Sequence, residues 1–69
     1  MENKDALKAT KKFARAIRLQ QNESSIYAYA DIEGFRYGQC YRTTNTQNAF
    51  DKFFKFYNVL YLKDLQDNA

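Results

Sequence analysis

Sixty-nine residues make one domain, with eleven Lys and Arg against eight Asp and Glu, one cysteine, and no histidine, proline or tryptophan. That inventory excludes an intrachain disulfide, a histidine-based acid/base centre and a Cys/His zinc site, and 45% hydrophobic with 17% aromatic content argues against disorder. A chain this short buries only about 60% of the surface it exposes unfolded, so self-association would help it, and a homodimer is among the expectations.

The opening MENKDALKATKKFARAIRLQ interrupts every apolar stretch with charge and reads as neither a signal peptide nor a membrane span. The lone thiol of Cys40 suits a reducing, cytoplasmic setting. Charge is uneven along the chain. Residues 1–22 carry Lys4, Lys8, Lys11, Lys12, Arg15 and Arg18 against Glu2 and Asp5, a net of +4, whereas residues 23–69 carry five bases and six acids, a net of −1.

The first element is a predicted helix over about 4–22, rich in alanine and β-branched only at Thr10 and Ile17. At 100° per residue Ala6, Ala9, Thr10, Phe13, Ala14 and Ile17 gather on one side, and Lys4, Lys8, Lys11, Arg15 and Arg18 on the other. Ordinary solvated helix faces interleave signs. This one offers almost no i,i+4 acid beyond Asp5, so its cations repel one another and call for an external anion.

A hairpin follows over about 25–42, IYAYADIEGFRYGQCYR. A type I turn closed by a glycine bulge at Gly34 would pair Asp31 with Phe35 and Tyr29 with Tyr37. It would gather Tyr27, Tyr29, Phe35, Tyr37, Gln39 and Tyr41 on one face. A two-residue Glu33-Gly34 loop would slip the pairing by one, placing Asp31 beside Arg36 and Tyr29 over Gly38. The bulge is the expected register, because the shorter loop forces Glu33 to positive φ. Cys40 would then lie buried among Ala28, Ala30 and Gly38 on the reverse face.

A second, aromatic helix is predicted over about 45–63, opened by a capping box at Thr44 and Gln47. Ala49, Phe50, Phe53, Phe54, Tyr57, Leu60 and Tyr61 form its core face, suited to burial against the tyrosines of the hairpin. Residues 59–62 (VLYL) read either as its last turn or as a short third strand, the continued helix being favoured. The architecture is thus α+β, helix–hairpin–helix, one compact domain over 1–69.

Chemistry has few footholds. Asp31 and Glu33 flank a turn, Asp64 and Asp67 lie near the end of the chain, and neither pair has calcium-loop spacing. Gly34 and Gly38 form no phosphate-cradling loop. The expectation is a non-enzymatic binding protein with no cofactor and no metal. Lys4, Lys8, Lys11, Lys12, Arg15 and Arg18 would hold nucleic-acid phosphates, with Arg36 and Arg42 assisting. The alternative is a protein-directed inhibitor or adaptor, of the kind phages and plasmids make, pressing the same helix against an acidic protein surface. Tyr27 and Tyr41, near the open end of the hairpin, together with Phe56 and Val59 on the far side of the second helix, are the candidate interface residues.

Overall fold

The computed structural model describes residues 3–67; Glu2, counted in the charge balance above, lies outside them, as do residues 1, 68 and 69. The chain runs α1 (Asn3–Ala16), β1 (Ile17–Gln21), β2 (Ile26–Ile32), β3 (Phe35–Tyr41) and α2 (Thr46–Asp67). The three strands form an antiparallel meander in the order β1-β2-β3. Both helices pack on the same face of it, so the fold is a two-layer α+β domain.

The basic helix ends at Ala16 rather than near Asn22, and the third strand is Ile17–Gln21 rather than 59–62. Ile17 satisfies two patterns at once, since it continues the helical apolar stripe with Phe13 and also begins the inward-outward alternation of Ile17, Arg18, Leu19 and Gln20. Tertiary need decides between them. A two-stranded hairpin is marginal by itself, and β1 pairs with β2 residue for residue from Ile17↔Ala30 to Gln21↔Ile26. The helix stops without a glycine. Arg18 Nη1 folds back instead, donating to the carbonyls of Arg15 (2.8 Å) and Ile17 (3.0 Å) and supplying a positive charge where the helix dipole is negative.

The hairpin takes the two-residue loop. Ile32 pairs with Phe35, Asp31 with Arg36 and Tyr29 with Gly38, while Glu33 (φ 53°) and Gly34 (φ 80°) both adopt the left-handed conformation. Strain at Glu33 is offset by what the register permits. With a single helical layer, only one face of the sheet can be apolar. This pairing puts Ile26, Ala28, Ala30 and Ile32 on the same side as Tyr37 and Tyr41, beneath the helices. The opposite, open face receives Asp31 and Arg36, along with Tyr27, Tyr29 and Cys40. Cys40 is therefore exposed and not in the core.

At α2 the helix continues to Asp67. Its cap lies one residue later than the sequence pattern implies: Asn45 Oδ1 accepts from the Asn48 amide (3.0 Å) and the Asn45 carbonyl from that of Ala49 (3.1 Å). Phe13 is the wedge between the layers. Fully buried, it meets Tyr61 at 5.3 Å, Tyr37 at 5.7 Å and Phe53 at 6.0 Å between ring centroids. The buried Tyr37 donates its hydroxyl to Asp64 Oδ2 (2.6 Å), and burial followed by that hydrogen bond raises its pKa well above the ordinary tyrosine value.

Candidate nucleic-acid interface

Helix α1 fixes the core of the proposed site. With Phe13 pinned inward, and Ala6, Ala9 and Ala14 half-buried beside it, the 3.6-residue repeat turns Lys4, Lys8, Lys11 and Arg15 outward, and all four are exposed. By helix geometry they fall within about 60° of arc and span roughly 17 Å. None of the four has an acidic partner among the described residues, where the ion pairs are Lys12–Glu33 and Arg36–Asp31.

The remaining predicted cations are spread over other surfaces. Lys12 sits beside the row but binds Glu33 Oε1 at 2.9 Å, a hydrogen bond and charge pairing that raise its pKa. Arg18 leaves the helical row altogether: it is exposed on β1, with its guanidinium turned onto the end of α1. Arg36 lies on the open face of the sheet, where Nε and Nη2 grip both oxygens of Asp31 (2.6 and 2.8 Å) and the guanidinium carbon stands 4.6 Å from the Tyr29 ring centroid. The hydrogen bond from Arg36 lowers the pKa of Asp31. Arg42 is exposed just beyond β3. The structure thus brings Lys4, Lys8, Lys11 and Arg15 together, keeps Lys12 close, and separates Arg18, Arg36 and Arg42 from them.

The aromatic candidates divide in the same way. Tyr27 is half-buried on the open face, stacked at 5.4 Å on Tyr29, and it leans over Gly38, where a Cβ would strike its phenol. Tyr41 is half-buried on the helix side and lines a groove of about 660 Å³ with Phe56, Val59 and Leu60. Phe56 and Val59 are 63% and 65% exposed. Sequence reasoning assigned Leu60 to the core and gave Lys52 no role, yet both line this groove. The recoverable signal was the 4-3-1 spacing of Lys52, Phe56, Val59 and Leu60, which forms a stripe on the side of the helix away from Phe54 and Tyr61.

Among the described residues no three Cys, Asp or Glu side chains converge where a metal ion could sit, and no helix is long and apolar enough to cross a membrane. No protein-family model, no curated protein and no solved structure matches the chain.

Proposed function

We propose that this is a small non-enzymatic binding protein that grips nucleic-acid phosphates with the outer face of α1. The observation that carries the reading is the exposed row of Lys4, Lys8, Lys11 and Arg15, none of them paired with an acid among the described residues. Each strand of a duplex offers a phosphate about every 3.4 Å of axis, so a row of about 17 Å follows several of them. Phosphates carry no sequence information, and the binding is therefore weakly selective. Lys12 can join the row by leaving Glu33, since an ion pair this exposed is weak. Arg18, Arg36 and Arg42, which the fold separates from this row, stand outside the grip.

Titration of a labelled duplex over a salt series tests this reading. Four neutralised phosphates give a log–log slope of roughly −3 to −4. A flat salt dependence, or no binding at low salt, would remove the proposal.

A second reading is supported by Leu7, which is 59% exposed at the border of the cationic row. An apolar side chain among lysines suits an acidic protein surface with a hydrophobic centre, the partner of an inhibitor or adaptor. Leu7→Ser separates the two readings, because it weakens a protein complex and leaves phosphate binding unchanged.

A further inference from the structure

The outer face of α2 carries a different pattern. Lys52, Phe56, Val59, Leu60, Lys63 and Asp67 lie within about 100° of arc at 100° per residue. Their spacing, 4-3-1-3-4, is symmetric about the midpoint between Val59 and Leu60. Phe56, Val59 and Leu60 are 63%, 65% and 38% exposed, and they border the groove that reaches Tyr41 on β3. Phe35, also exposed, stands apart from this patch, and a single exposure of that kind is ordinary.

The geometry points to a homodimer in which α2 packs antiparallel on α2 of a second copy, about a twofold axis between Val59 and Leu60. A twofold interface must be self-complementary, and this stripe meets that condition in one direction only. Antiparallel, Lys52 of one copy faces Asp67 of the other, the stem of Lys63 covers Phe56, and Val59 meets Leu60. Parallel, Lys52 would face Lys52 and Lys63 would face Lys63. The contact runs about 22 Å along the helix. It leaves the cations of α1 outside the interface, so it is independent of the nucleic-acid reading.

Sedimentation equilibrium over a range of protein concentrations tests the dimer, with far-UV circular dichroism confirming that each variant folds. The wild-type chain is expected to dimerise, and Phe56→Glu, a change at an exposed site, to weaken association by more than about tenfold, as loss of a central anchor does. Lys52→Asp and Asp67→Lys should each weaken it, and the double variant Lys52→Asp/Asp67→Lys should recover affinity. A wild-type chain that stays monomeric, or a Phe56→Glu variant that dimerises as well as wild type, would overturn the dimer. Failure of the double variant to recover would overturn the antiparallel register.

Discussion

The two helices lie side by side on one sheet yet offer solvent opposite chemistry. Helix α1 presents a row of cations with almost no acid among them, whereas α2 presents an apolar centre with lysines and an aspartate at its ends. Both inner faces are anchored by the same ring, Phe13. The difference is therefore not imposed by folding, which needs only the inward residues. It leaves two outward surfaces of different character, one a row of like charges and the other an apolar stripe flanked by charges of both signs, and the proposals above give each its own partner.

The comparison breaks most completely when the shared anchor is removed. Phe13→Ala should cost about 3–5 kcal/mol, most of the stability of a small domain, and abolish both surfaces together. Chemical denaturation checks this. Tyr37→Phe is a narrower cut, removing the hydroxyl that ties β3 to Asp64 of α2; it should cost about 1–2 kcal/mol while the α1 row keeps its affinity for phosphate.

Alkaline pH acts on the same layer. Tyr37, Tyr41 and Tyr61 all have pKa values raised above the ordinary 10, chiefly by burial. The folded state thus holds these protons more tightly than the unfolded chain does. Their contribution to stability is intact below about pH 10 and is lost as pH rises through the raised values. Spectrophotometric titration should show these three phenols ionising later than a free tyrosine, together with unfolding. Three phenols titrating normally with the fold intact would contradict their burial.

The smallest effect concerns the seam between the helices. Asn58 Nδ2 donates to Thr10 Oγ1 at 3.3 Å while its buried Oδ1 has no hydrogen-bond partner among the described residues. Asn58→Leu should therefore be neutral or stabilising by up to about 1 kcal/mol, with both outer surfaces unchanged. Thermal denaturation read beside the duplex titration checks both halves of that expectation.

Helix periodicity was legible in both helices, because Phe13 and Phe53 each anchor a clear inward stripe. The strand at Ile17–Gln21 was not, since Arg18, Leu19 and Gln20 favour helix about as well and only pairing with β2 decides. Local cost also misjudged the turn. Glu33 at positive φ is unfavourable by itself, and the gain that outweighs it, one apolar face beneath two helices, belongs to the whole fold. Exposure of Cys40 and Leu60 followed from that register and from the position of β3, which no window of sequence contains. Within the site, the α1 cations through Arg15 were legible, and the departure of Arg18 from their row was a consequence of β1.

The most direct measurement is the change in salt slope on deleting two cations from α1. With the same labelled duplex, Lys8→Gln/Lys11→Gln should fold as wild type but bind with a log–log slope shallower by about 2, the loss of two phosphate contacts. An unchanged slope would contradict the assignment of the phosphate grip to this helix.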